Sequence, residues 1–218
     1  MEKINNINSC IMLAANLISP VSLSCVFDSE DLKDTGVEFD SHVTLLYAKS
    51  TKLERNEIMN VLNNAVAIKE VLGNSSIEKY IKELSEKEPV PVLDLFELGS
   101  FENDSGYLVL KLKQDTPEFK IFSAINEGLS DEFGVKSDFS SYNPHLTIAE
   151  LNPGLTKKYL NDYSLNSILR SSQVCFEDLI LSYGMTGVSD FTVYNLTCNM
   201  GGDRFFRIRE LRREAAEL

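Results

Sequence analysis

Ser41-His42-Val43-Thr44-Leu45-Leu46-Tyr47 and, far along the chain, Pro144-His145-Leu146-Thr147-Ile148-Ala149 are two versions of one short phrase. They contain the only 2 histidines of the protein. Each comes after a turn-forming pair, Phe39-Asp40 in one case and Asn143-Pro144 in the other, and runs into an apolar stretch with β-branched residues. Such a pattern reads as a strand. Residues i and i+2 of a strand share a face. His42 and Thr44 therefore point one way, as do His145 and Thr147, while Val43, Leu45, Leu146 and Ile148 point to the buried side. By the same alternation Tyr47 is expected on the core side. A single His-x-Thr carries no information; two of them holding every histidine suggest equivalent strands that face each other.

That pairing has a chemical use. Imidazole is the side chain whose ordinary pKa lets it give or take a proton near neutrality. Cleaving a phosphodiester needs a base for the attacking hydroxyl or water and an acid for the leaving oxygen, on opposite sides of phosphorus. Two histidines flanking a phosphate supply both, each positioned transfer contributing on the order of a hundred- to ten-thousand-fold. Thr44 and Thr147 can donate hydroxyl hydrogen bonds to the non-bridging oxygens, where negative charge must be held. The expected catalytic residues are thus His42 and His145, with Thr44 and Thr147 binding substrate.

With these motifs the sequence resembles the two-histidine (2H) phosphoesterases, which include 2′-5′ RNA ligase-like proteins, cyclic phosphodiesterases and viral and phage enzymes that degrade signalling nucleotides. The family signature, His-hydrophobic-Thr/Ser-hydrophobic once per lobe, is met by His42-Val43-Thr44-Leu45 and His145-Leu146-Thr147-Ile148. The resemblance implies an α+β, bilobal fold with pseudo-twofold symmetry. Two antiparallel sheets would line a central groove with helices outside, residues 1–218 forming a single bilobal domain. It also implies that neither metal nor cofactor is required. The helical stretch from Val61 to Glu88 is longer than a minimal member needs.

Composition bounds the rest. A chain of 218 residues, 43% hydrophobic and 25% charged, has enough material for one sizeable core. No apolar run approaches the ~20 residues of a membrane span, and Ser9–Ile18 lacks the flanks of a secretory signal. The cysteines, Cys10, Cys25, Cys175 and Cys198, show no metal-ligand spacing, so reduced, mostly buried thiols in a cytoplasm are expected (host cytoplasm if of phage origin). A net charge of −12 repels polyanions, which argues against duplex DNA and for a small nucleotide. Arg204, Arg207, Arg209, Arg212 and Arg213 form the one dense basic run; Arg209, Arg212 and Arg213 read as balanced by Glu210, Glu214 and Glu217 on a C-terminal helix expected over Arg207–Leu218, and Arg204 or Arg207 is left as a candidate phosphate contact. The oligomeric state is not legible.

Periodicity gives strands at Ser9–Asn16, His42–Ala48, Val92–Leu98, Tyr107–Lys113, Val174–Tyr183 and Phe191–Cys198, with an acidic loop over Asp28–Asp40. It gives helices at Thr51–Leu72, closed by Gly73, at Ile77–Glu86, at Pro117–Phe133 and at Leu155–Leu160. A nucleotide groove also needs a stacking surface. Tyr142, three residues before His145, is the preferred candidate, ahead of Phe139 and Tyr183. Glu177 is a candidate orienting carboxylate, and Lys49 and Lys136 are candidate phosphate contacts.

Charge and the extra helical segment favour, within the family, a phosphodiesterase for small cyclic or short oligonucleotides, such as the cyclic di- and trinucleotide immune signals destroyed by phage anti-CBASS members. The alternatives are an RNA 2′,3′-cyclic phosphodiesterase or 2′-5′ RNA ligase-like enzyme, and a non-catalytic nucleotide sponge on the same fold.

Overall fold

The computed structural model describes residues 7–38, 40–101, 106–135, 141–185 and 191–197. The chain folds into two antiparallel sheets with α-helices packed on them. The first sheet is built on β1 (Ile7–Ile18), flanked by β3 (His42–Ala48) and β8 (Gln173–Met185), with β4 (Val90–Pro91) and β9 (Phe191–Asn195) pairing with β8. The second runs in the order β2 (Leu32–Val37), β7 (His145–Leu151), β6 (Tyr107–Leu112), β5 (Phe96–Ser100).

The element order contains a repeat. β1, the motif strand β3, the helices α1 (Arg55–Asn64), α2 (Val66–Leu72) and α3 (Ile77–Ser85), and β5 succeed one another in the first half. β6, the motif strand β7, the helices α6 (Thr156–Leu160) and α7 (Tyr163–Arg170), and β8 do so in the second. The last strand of each half crosses to the other half's sheet: β5 pairs with β6, and β8 with β1. The halves are therefore interlocked, and their apolar faces merge in one core. Phe176 of β8 contacts both Phe96 of β5 (6.3 Å between centroids) and Phe122 (5.5 Å) of α5 (Pro117–Phe133), so sheet, sheet and helix meet at a single aromatic cluster.

Local chemistry explains most of the elements. The Thr116 hydroxyl caps α5 by accepting from the Phe119 amide, Pro117 opens its first turn, and Gly134 ends it in the left-handed region at φ 61°. Gly128 is needed in mid-helix, because an added Cβ would lie 2.8 Å from the Ala65 Cβ where α5 crosses the α1–α2 junction.

Several expectations are corrected. The helix expected over Thr51–Leu72 is two helices, since Ala65 adopts an extended conformation (φ −58°, ψ 134°) between them. Val92–Leu98 is not one strand: a short helical turn, α4 (Val92–Leu95), precedes β5. The acidic loop contains β2, which forms because the edge of β7 offers it backbone partners despite its charged sequence. α7 is an addition to the expected helices; Asp162 caps it by accepting from the Leu165 amide. Among the described cysteines Cys25 is exposed, and Cys10 and Cys175 are half-buried. Among the described residues no helix is long and apolar enough to cross a membrane. The helix expected over Arg207–Leu218 lies outside them.

Candidate functional site

β3 and β7 are built alike down to single hydrogen bonds. The residue before each histidine accepts from the neighbouring strand, Ser41 from the Ala15 amide and Pro144 from the Leu112 amide, both at 2.9 Å. Each imidazole Nδ1 then meets the carbonyl two residues back: His42 that of Asp40 and His145 that of Asn143, both at 2.7 Å. A carbonyl can only accept, so Nδ1 carries the proton in each ring. Nε2 is left as the free nitrogen of both neutral imidazoles, with no hydrogen-bond partner among the described residues. Burial alternates as expected at first, with Val43, Leu45, Leu146 and Ile148 in the core and the histidines and threonines half-buried on the other face.

Past the threonines the alternation breaks, at the same place in both strands. On β1, Met12 pairs with Thr44 and Ile11 with Leu46, leaving Leu45 as an extra residue. On β6, Val109 pairs with Thr147 and Leu108 with Ala149, leaving Ile148 extra. Each is a β-bulge, two residues opposite one. Each freed carbonyl is satisfied from outside the ladder: Leu45 accepts from the Asn126 side chain of α5 at 2.6 Å, and Ile148 from the Glu38 amide at 2.8 Å. The bulge reverses the facing of every residue beyond it on the strand. Tyr47, expected in the core, pairs with Cys10 on the face of Thr44 and His42 and is 52% exposed. Glu150, its counterpart, pairs with Tyr107 on the face of Thr147 and His145.

The two motif strands lie against each other, and Tyr142 ties them. Its hydroxyl donates to the Thr44 carbonyl at 2.9 Å, and its ring packs against the core. Burial raises its phenol well above the ordinary value. The residue expected as a stacking surface is thus placed as a cross-brace, its polar end already engaged. Beside Thr44, burial pushes the Cys10 thiol up to about 11, and the Thr44 hydroxyl hydrogen-bonded to it pulls the other way.

His145 has neighbours that the sequence does not reveal. The Phe101 ring meets its edge at 4.9 Å between centroids. Lys111 is its cross-strand partner, with Nζ 5.7 Å from the Phe101 centroid. A Cβ on Gly99 would come within 3.2 Å of the Lys111 stem, so the glycine leaves room for that side chain. Burial above all lowers the pKa of His145; the Asn143 bond opposes this, and the charges of His42 and Lys111 add to it.

The remaining candidates fall elsewhere. The Tyr183 hydroxyl donates to the Leu53 carbonyl and its ring meets Tyr194 edge-on at 5.6 Å, which is packing. Glu177 is half-buried at the irregular pairing of β8 with β1, and Lys49 is exposed beyond the end of β3. Phe139, Lys136 and the C-terminal arginines lie outside the described residues. A cleft between α1–α2 and α5 holds neither histidine; its lining includes Glu70, Glu127, Asp131 and Glu132, which would repel a phosphate.

No family model and no curated protein matches the chain. Among solved structures it is similar to E. coli LigT complexed with 3′-AMP, at 12% identity over 84% of this chain and 95% of that one, with a TM-score of 0.36.

Proposed function

We propose that this protein is a metal-independent phosphodiesterase acting on small cyclic or short oligonucleotides, cyclic di- and trinucleotide signals among them. The observation that carries the reading is the matched pair of Nδ1–carbonyl bonds. It fixes the tautomer of both imidazoles and leaves two Nε2 atoms for chemistry, as general acid–base catalysis by histidine requires.

In the proposed reaction His145, whose pKa is held down, takes the proton of the nucleophile, a water or a ribose 2′-hydroxyl. The nucleophile's oxygen bonds to phosphorus as the opposite phosphorus–oxygen bond breaks. His42, protonated, gives its proton to the departing oxygen. Thr44 and Thr147, each on its histidine's face, hold the non-bridging oxygens through hydroxyl hydrogen bonds. The small-substrate preference rests on the net charge of −12, which works against any long nucleic acid.

The test is turnover of a panel in excess EDTA: cyclic dinucleotides, cyclic trinucleotides, 2′-5′ oligoadenylate and 2′,3′-cyclic mononucleotides. At least one should be cleaved. Alanine at His42 or His145 should lower its single-turnover rate by two or more orders of magnitude while binding changes far less. The double variant should lose much less than the product of the single losses, because the pair acts on one transition state. Activity restored only by added divalent metal defeats the reading. Cleavage confined to 2′,3′-cyclic ends or 2′-5′ linkages moves it to RNA processing, and retention without product makes the protein a sponge.

A further inference from the structure

The two half-sites are alike in histidine and threonine but unlike at the positions around them. Three cross-strand pairs line each. In the first they are Ala14–His42, Met12–Thr44 and Cys10–Tyr47. In the second they are Lys111–His145, Val109–Thr147 and Tyr107–Glu150. The first half-site offers an exposed aromatic ring and has alanine where the second has a cation. In the second the aromatic ring is engaged: Lys33 Nζ lies 5.9 Å from the Tyr107 centroid, and the phenol is hydrogen-bonded to Glu150. Glu150 is itself neutralised by Lys33 at 2.8 Å. Lys111, by contrast, forms no ion pair among the described residues.

We propose that the groove binds a nucleoside phosphate in one direction only, its phosphate against the Lys111 ammonium and its base on the ring of Tyr47. This rests on the phosphodiesterase reading and adds two residues to it. The bulge at Leu45 is what makes the ring available, since an unbroken strand would bury it. With Leu45 bulged out, Tyr47 stands one cross-strand step beyond Thr44. That is roughly 7 Å along the strand, about the span of a ribose. A base stacked there leaves its phosphate near Thr44 and between the histidines. Lys111, on the far side, is placed to meet a non-bridging oxygen as a point charge. Every base has a π-face, so Tyr47 supplies affinity without choosing among bases.

A ladder of three ligands tests this on the full chain: inorganic phosphate, ribose 5-phosphate and AMP, with affinities measured by calorimetry. Wild-type protein should bind AMP roughly 5- to 150-fold more tightly than ribose 5-phosphate, the usual worth of one stacked base. Tyr47→Ala should erase that difference and leave inorganic phosphate binding unchanged; Tyr47→Phe should keep it. Lys111→Met should weaken all three ligands at least tenfold, and Lys111→Arg should recover most of the loss. Circular dichroism melting of each variant confirms folding. The proposal is overturned if wild-type protein gains nothing from the base, or if Tyr107→Ala rather than Tyr47→Ala removes the gain. It is also overturned if Lys111→Met binds phosphate normally. Failure of the catalytic reading is separate: it appears as no turnover, or as turnover indifferent to the histidines, whatever the ladder shows.

Discussion

At the scale of single residues, the asymmetry between the histidines has measurable consequences. Burial, together with the charges of Lys111 and His42, holds His145 below the ordinary value of 6.5, against the opposing Asn143 carbonyl bond. Well above that value the ring is neutral in folded and unfolded chains alike. As pH falls through 6.5 the unfolded chain takes up its proton first, so stability is lost progressively toward the folded-state value. His145→Gln should therefore flatten the decline in denaturation midpoint that sets in as pH falls through 6.5 toward the folded-state value. Turnover should be bell-shaped, its acid limb inflecting below 6.5 as His145 loses its proton. Lys111→Met removes one of the charges that lower this pKa and should move that limb toward higher pH. An acid limb that stays in place would mean that His145 is not the base. The motif residues themselves are legible, because a strand's two-residue period converts His-x-Thr directly into a shared face. Lys111 and Phe101 are not, because only pairing with β7 and the β5–β6 hairpin brings them to His145.

Elements are legible where one local rule governs them and obscure where a partner does. α5 is delimited correctly because Thr116, Pro117 and Gly134 mark its ends chemically. β2 escapes a reading of pattern because its sequence, Leu32-Lys33-Asp34-Thr35-Gly36-Val37, has little strand character apart from its place at an edge. The bulges are invisible because Leu45-Leu46 and Ile148-Ala149 remain apolar whether or not a residue is added to the face. Tyr47 is assigned to the wrong face for that reason alone. What holds the first bulge is a residue from another element. Replacing Asn126 with leucine leaves the Leu45 carbonyl buried without its donor and should cost about 1–3 kcal/mol in denaturant unfolding. The same change should impair turnover beyond its effect on stability, since Thr44 and Tyr47 sit on either side of the bulge. Full activity at a temperature where the variant is folded would show that the bulge does not position the site.

At the scale of the molecule, the repeat visible as two short phrases is a repeat of topology, with its last strands exchanged. That exchange cannot be read from the sequence, because β5 and β8 carry no mark of which sheet they will join. It has a thermodynamic consequence. With β8 threaded through the first sheet, β5 closing the second, and Phe96, Phe122 and Phe176 in one cluster, neither half has a core of its own to retain. The two sheets should melt as one cooperative unit, with equal calorimetric and van't Hoff enthalpies. Leu110→Ala, made at a fully buried position of β6, offers the stringent version of this test. It should cost about 2–5 kcal/mol. Far-UV circular dichroism should then shift together with the fluorescence of tyrosines in the other sheet, the chain having no tryptophan. Separation into two transitions, the second sheet melting first, would show that the exchanged strands do not couple the halves. The groove between them would then be a hinge rather than a fixed site.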